Sequence, residues 1–70
     1  MDISGELKRI RMLSLLSQQD FANAIGVSYC TVNRWENNRA IPNYKTLKKV
    51  KLFCEKNEIE FNIIMVGEEG

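Results

Sequence analysis

The sequence predicts a small all-α protein: a bundle of four helices, or five elements if a C-terminal extended strand follows them. Apolar residues recur three or four positions apart through most of the chain, which is the spacing of a buried helix face. Ser17, Ser28 and Asn43 precede three of these stretches as candidate N-caps, and Pro42 stands where it blocks a helix from continuing. With 70 residues, of which 44% are hydrophobic, the chain can bury one small core.

Four stretches have the helical spacing. The first is expected over residues 3–14, the second and third lie either side of Gly26, and the fourth runs from about Tyr44 to Lys56. The residues expected to face the core are Ile3, Leu7, Ile10, Phe21, Ile25, Val32, Trp35, Tyr44, Leu47, Val50, Phe53 and Cys54.

The second and third helices are short and separated by Gly26. A glycine suits a point where the chain takes positive φ to leave one helix and enter the next. Ala22 is small enough to let the two helix backbones approach closely. Two short helices joined by such a turn form a helix-turn-helix, a unit that usually binds DNA.

The chain around this turn resembles the Cro/CI-repressor type helix-turn-helix domain, also called the XRE family. The matching positions are Gln18, Ala22, Gly26, Val27, Ser28, Thr31, Val32, Trp35 and Glu36, followed by Pro42. The resemblance covers roughly residues 5–54. It implies a lambda-repressor-like bundle over residues 1–57, whereas residues 58–70 depart from the family, which usually continues with a fifth helix, and are expected to be a C-terminal strand or tail.

The outward face of the third helix carries the predicted base contacts. With Val32 and Trp35 facing inward, the side chains expected to meet the bases are Tyr29, Cys30, Asn33 and Arg34. An arginine fits the two acceptors of guanine, and an asparagine fits the donor and acceptor of adenine. The alternative is an ordinary polar helix face.

A second set of residues is expected to hold the DNA backbone. The resemblance implies phosphate contacts from Gln18, at the start of the second helix, and from Arg39; Ser28, Asn37 and Lys45 complete the expected set. The resemblance also implies a pair between Arg11 and Glu36. For Gln18, Arg11 and Lys45 the alternative is simple solvation. Residues 34–51 contain six basic residues and one acidic residue, whereas residues 52–70 contain one basic and five acidic, so the acidic end should face away from DNA.

The C-terminal stretch has a different period. Ile59, Phe61, Ile63 and Met65 alternate with other residues over 59–66, which predicts a β-strand. Nothing else in the chain resembles a strand, so this one would pair with its copy across a two-fold axis and make a homodimer. A short fifth helix and a loose tail are the alternatives.

Several classes of function are not expected. The sequence has no histidine and lacks a useful carboxylate pair, a metal-ligand cluster or a phosphate-binding loop, so we expect no catalysis, no metal, no cofactor and no small-molecule substrate. It has no apolar run of membrane-spanning length and no signal-peptide pattern. Cys30 and Cys54 are therefore expected to be reduced thiols in the cytoplasm.

These observations together predict a homodimeric, sequence-specific DNA-binding protein, a transcriptional repressor of phage or bacterial type. Two alternatives use the same fold. One is a DNA-targeting module of a larger methyltransferase or nuclease. The other is an antitoxin-like adaptor that binds a protein partner.

Overall fold

The four expected helices are present in the structure, a computed structural model that describes residues 3–63. They are α1 (Ile3–Leu13), α2 (Gln18–Ile25), α3 (Tyr29–Glu36) and α4 (Tyr44–Lys56). The predicted all-α class and helix order are confirmed, and α4 has the predicted limits. Among the described residues, none of the helices has the length and apolarity needed to cross a membrane.

Polar side chains begin three of the helices as the sequence predicts. Ser17, Ser28 and Asn43 have extended backbone conformations. Each side-chain oxygen accepts a hydrogen bond from the backbone N–H three residues later, at 2.9–3.1 Å. Such a cap satisfies a donor that the helix leaves unpaired, and its loss typically costs about 1 kcal/mol. The starts of α2, α3 and α4 are therefore set by local sequence.

The turn between α2 and α3 depends on Gly26. Its φ is 90°, in the left-handed region, and its N–H donates to the carbonyl of Ala22 at 2.8 Å. The Ala22 side chain is fully buried where α2 and α3 pack together. Because glycine has no Cβ, it adopts this φ without strain. The short turn thereby fixes α3 against α2.

The core lies between all four helices. Its buried members are Leu7, Ile10, Phe21, Ala22, Ile25, Val32, Trp35, Leu47, Val50, Cys54 and Ile63. The rings of Phe21 and Phe53 meet edge to face, with centroids 5.4 Å apart. Tyr44, which the sequence predicted to face the core, is 42% exposed. It is the first residue of α4 and lies outside the packed part of the helix, with the Lys48 ammonium 5.6 Å from its ring centroid.

Within residues 3–63, three residues other than glycine have positive φ. They are Leu15 at 60°, Asn38 at 62° and Glu58 at 57°. Asparagine tolerates this conformation because its short polar side chain can bond locally, whereas leucine and glutamate clash with their own backbone. Leu15 follows the end of α1 and is 91% exposed, so no burial of its side chain compensates this strain.

The strand predicted over 59–66 is absent from residues 59–63, so the prediction is wrong for this part of the chain. Residues 59–63 have no regular secondary structure, and 64–66, with Met65, lie outside the described residues. Ile63 is 5% exposed and belongs to the core of its own chain, while Ile59 and Phe61 pack against that core. The chain's own helices thus bury Ile63 and partly bury Ile59 and Phe61, instead of a second strand.

Side-chain and backbone hydrogen bonds hold this C-terminal segment. The N–H of Ile59 donates to the Cys54 carbonyl at 2.9 Å, just past the end of α4. The guanidinium of Arg9, on α1, donates to the Glu60 carbonyl at 2.8 Å and to the Glu6 carboxylate at 3.0 Å. The segment therefore returns to α1 after α4 ends.

Candidate nucleic-acid interface

The outer face of α3 is open to solvent. Val32 and Trp35, on the inner face, are 0% and 3% exposed and anchor the helix to the core. Tyr29, Cys30 and Arg34 are exposed on the outer face, and Asn33 is half-buried. These are the four side chains expected to meet bases, and the helix brings them together on one surface. An α-helix fits the major groove of B-form DNA, so this surface has the size and chemistry for base contact.

An ion pair holds the C-terminal end of α3 to α1. The Arg11 guanidinium donates through Nε to one oxygen of the Glu36 carboxylate at 2.6 Å and through Nη2 to the other at 3.0 Å. The two side chains are 15% and 4% exposed, so the pair is almost wholly out of water. Arg11 also donates to the carbonyl of Leu16 at 2.9 Å, and the hydroxyl of Ser4 donates to the Glu36 carbonyl at 3.0 Å. α1 therefore fixes the orientation in which α3 presents its outer face.

Both groups of the pair favour their charged forms. Burial opposes ionisation of Glu36, but hydrogen bonds from Arg11 and Gln18, together with the positive charges of Arg11 and Lys8, outweigh it and lower the pKa of this carboxyl. The hydrogen bond to Glu36 raises the pKa of Arg11 against the opposing effect of burial. The pair is thus fully ionised at neutral pH.

The amide of Gln18 joins this pair to the outer face of α3. Its Nε2 donates to Glu36 at 3.0 Å, and its Oε1 accepts from Asn33 Nδ2 at 3.2 Å. Asn33 Oδ1 in turn accepts from Asn37 Nδ2 at 3.2 Å, and the same Asn37 nitrogen donates to the Asn33 carbonyl at 2.8 Å. The sequence pointed to Gln18 and Asn33 separately, but their contact depends on how closely the first turn of α2 approaches the middle of α3.

The remaining residues expected at phosphates lie at the two ends of α3 and beyond. Ser28 caps the helix, and its hydroxyl also shares a hydrogen bond with the Thr31 hydroxyl at 2.8 Å. Asn37 and Arg39 are exposed just after the helix, and the Arg39 N–H donates to the Arg34 carbonyl at 2.8 Å. Lys45 is exposed in the first turn of α4. The exposed basic side chains near the end of α3 suit contact with a polyanion.

The described part of the C-terminal segment leaves the α3 face uncovered. Ser4 and Arg11, seven residues apart on one side of α1, both bond to Glu36. Arg9, which holds Glu60, is about 200° around the helix from Arg11. Residues 59–63 therefore approach α1 from the side away from α3.

The two cysteines differ in their surroundings. Both are free thiols; Cys30 is exposed on α3 and Cys54 is buried in the core. Burial raises the pKa of the Cys54 thiol, so it behaves as a small apolar core residue. Within residues 3–63 there is no cluster of three or more histidine, cysteine, aspartate or glutamate side chains suited to a metal ion.

Comparison with known proteins identifies the family. A family model described as helix-turn-helix matches residues 7–60, well over half of the chain and the part that contains all four helices except the first turn of α1. Searches among curated proteins and among solved structures found no match. The matched residues include the capped α2, the Gly26 turn and the exposed face of α3. The chain belongs to the Cro/CI-repressor type, or XRE, helix-turn-helix family of DNA-binding transcription regulators.

Proposed function

We propose that this protein is a repressor that binds a specific double-stranded DNA sequence as a homodimer. The observation that carries the proposal is the outer face of α3. It presents Tyr29, Cys30 and Arg34 to solvent beside Asn33, while the opposite face is buried and an ion pair fixes the end of the helix. A rigid helix with such a face can enter the major groove with its side chains directed at base edges.

The side chains divide into two roles. Arg34, Asn33, Cys30 and Tyr29 contact bases and supply specificity. Gln18, Ser28, Asn37, Arg39 and Lys45 contact phosphates and set the register of the protein on the duplex, without reading the sequence. Gln18 keeps one amide N–H beyond the one it gives to Glu36, so it can serve a phosphate and its partners in the protein at once.

A homodimer follows from the small size of one recognition surface. An eight-residue α3 reaches only a few base pairs, and specific affinity in such proteins comes from two half-sites about 34 Å apart. The dimerisation element predicted at Ile59, Phe61, Ile63 and Met65 stays a prediction. The first three of these residues pack within their own chain, so pairing through them would need the segment to leave the core.

Selection of bound duplexes from a random DNA pool tests the proposal. The expected result is a short palindrome whose half-site centres are about one helical turn apart. The molecular mass of the complex on that palindrome, measured by sedimentation, should correspond to two chains per duplex. Enrichment of no sequence would overturn sequence-specific binding and favour the adaptor function. One chain bound to a single, non-repeated site would overturn the homodimer.

A further inference from the structure

A chain of hydrogen-bonded side chains leads from the buried ion pair to the surface of α3. It starts at the Glu36 carboxylate and passes through the amides of Gln18, Asn33 and Asn37; we call these three amides the amide chain. The Glu36 side chain is 4% exposed, and Asn33 is half-buried, whereas Asn37 is exposed. Gln18, at one end of the amide chain, is therefore held by the Glu36 carboxylate inside the protein, and Asn33, in the middle, lies at the outer face of α3.

The charge of Glu36 sets the direction of every amide in this chain. An ionised carboxylate only accepts hydrogen bonds, so the amide of Gln18 must present its NH₂ group to Glu36. Its carbonyl oxygen then faces Asn33 and requires a donor there, which only the NH₂ group of Asn33 supplies. The lowered pKa of Glu36 keeps the carboxyl in its acceptor-only form at neutral pH.

The resulting orientation determines what Asn33 can still bind. Its side chain has two N–H donors and one carbonyl oxygen with two lone pairs. One N–H is used by Gln18 and one lone pair by Asn37, so one donor and one acceptor remain. In the major groove, adenine presents one acceptor, N7, beside one donor, N6, whereas guanine presents two acceptors.

We infer that Asn33 reads an adenine in the operator, and that Gln18 and Glu36 are positioning residues that fix its amide for this base. The inference rests on the proposed DNA-binding function and names the base that this function requires at one position of each half-site. A flipped Asn33 amide would bring two carbonyl oxygens together at the 3.2 Å contact with Gln18. It would also exchange the donor and acceptor that face the base and so lose the match to adenine in that register.

Base preferences of four proteins test this inference: wild type, Asn33→Ala, Gln18→Met and Gln19→Met. Methionine resembles glutamine in length but has no amide. Gln19 is the matched control because it neighbours Gln18 on α2 and its side chain donates to Asn23, at 3.2 Å, outside the amide chain. Each protein is given the same random duplex pool, the enrichment of each base at each position is counted, and thermal unfolding of each protein checks that it is folded.

The expected pattern separates reading from positioning. Wild type and Gln19→Met should enrich adenine about ten- to hundredfold over guanine at one position per half-site, the range of a good two-point contact. Asn33→Ala should lose this preference at that position and keep the others. Gln18→Met should reduce the adenine preference to a few-fold, and weaken binding to all sequences alike through the lost phosphate contact.

The failures of the two proposals are distinguishable. If wild type enriches no sequence, both the proposed function and the adenine inference are overturned. If wild type selects an operator but Asn33→Ala keeps every base preference, or loses a preference for a base other than adenine, the inference alone is overturned. If Gln18→Met selects the same bases as Gln19→Met, the positioning role of Gln18 is overturned.

Discussion

The replacement of Arg11 by methionine tests how the recognition helix is held. Methionine keeps a long apolar stem but removes both hydrogen bonds to Glu36 and the opposite charge. The Glu36 side chain is 4% exposed, so its carboxylate has little access to water that could take the place of the lost partner. Removing one member of a buried pair typically costs 3–5 kcal/mol, because it leaves the other charge uncompensated.

The expected loss is about 3 kcal/mol, the lower end of that range, since Arg11 itself retains 15% exposure. A domain of this length has a total stability of about 4–10 kcal/mol, so the variant should lose a large part of it. With an m-value of about 1 kcal/mol/M, the urea midpoint should fall by about 3 M. Removal of both charges, in Arg11→Met with Glu36→Met, should restore most of the stability, because no unpaired charge is left buried.

Urea unfolding followed by circular dichroism is the assay, and the pair of Glu6 and Arg9 provides the control. That pair has the same chemistry at 3.0 Å, but its side chains are 22% and 34% exposed. Glu6→Gln should therefore cost only about 0.2–1 kcal/mol. If Arg11→Met costs no more than Glu6→Gln, the argument that burial gives the Arg11–Glu36 pair its structural importance is refuted.

Three further outcomes are expected. The pKa of Glu36 is lowered in the folded state, so its ion pair stabilises the fold above the ordinary glutamate pKa of about 4.3. This stability is lost as the pH falls through the lower folded-state pKa. Urea midpoints measured from pH 5 to pH 2 should therefore fall less steeply for Glu36→Gln than for wild type, and equal slopes would contradict this. Leu15→Gly should raise the midpoint of thermal unfolding by about 2–8 °C. The strain of a left-handed leucine that is removed (about 1–2 kcal/mol) exceeds the cost of the extra backbone entropy that glycine has in the unfolded chain (about 0.5–1 kcal/mol). Leu15→Ala, which keeps a Cβ, is the control and should give no such gain. On the selected operator, Arg34→Ala should cost about 1–3 kcal/mol of binding free energy and relax specificity at one base pair. Arg39→Ala should instead weaken binding to every sequence and lower the slope of log affinity against log salt by about one. An unchanged slope for Arg39→Ala would remove Arg39 from the phosphate contacts.

Much of the fold follows from short-range chemistry that a sequence displays directly. Ser17, Ser28 and Asn43 begin helices because each can satisfy a backbone N–H three residues away, whatever the rest of the chain does. Gly26 permits a positive φ for an equally local reason. The spacing of Val32 and Trp35 determined which face of α3 is buried, and hence which face is left exposed to solvent.

The C-terminal segment shows where local pattern was insufficient. Alternation of Ile59, Phe61 and Ile63 indicates that one side of an extended segment is apolar, but it does not say what covers that side. In the structure the chain's own helices cover it, and Arg9 satisfies the Glu60 carbonyl, so over 59–63 no partner strand is used. The path of the chain after α4 decided which surface covers these side chains, and the alternating pattern does not specify that path.

The sequence by itself determined the helices, their caps and the set of side chains on the outer face of α3, because these depend on residues within one or two turns of each other. Only the tertiary structure decided how those side chains are held. Gln18 and Asn33 are 15 residues apart, and Arg11 and Glu36 are 25 apart, so their contacts exist only once the helices have packed. The direction of the Asn33 amide is set through these contacts, since a hydrogen bond transmits its polarity only between groups that touch.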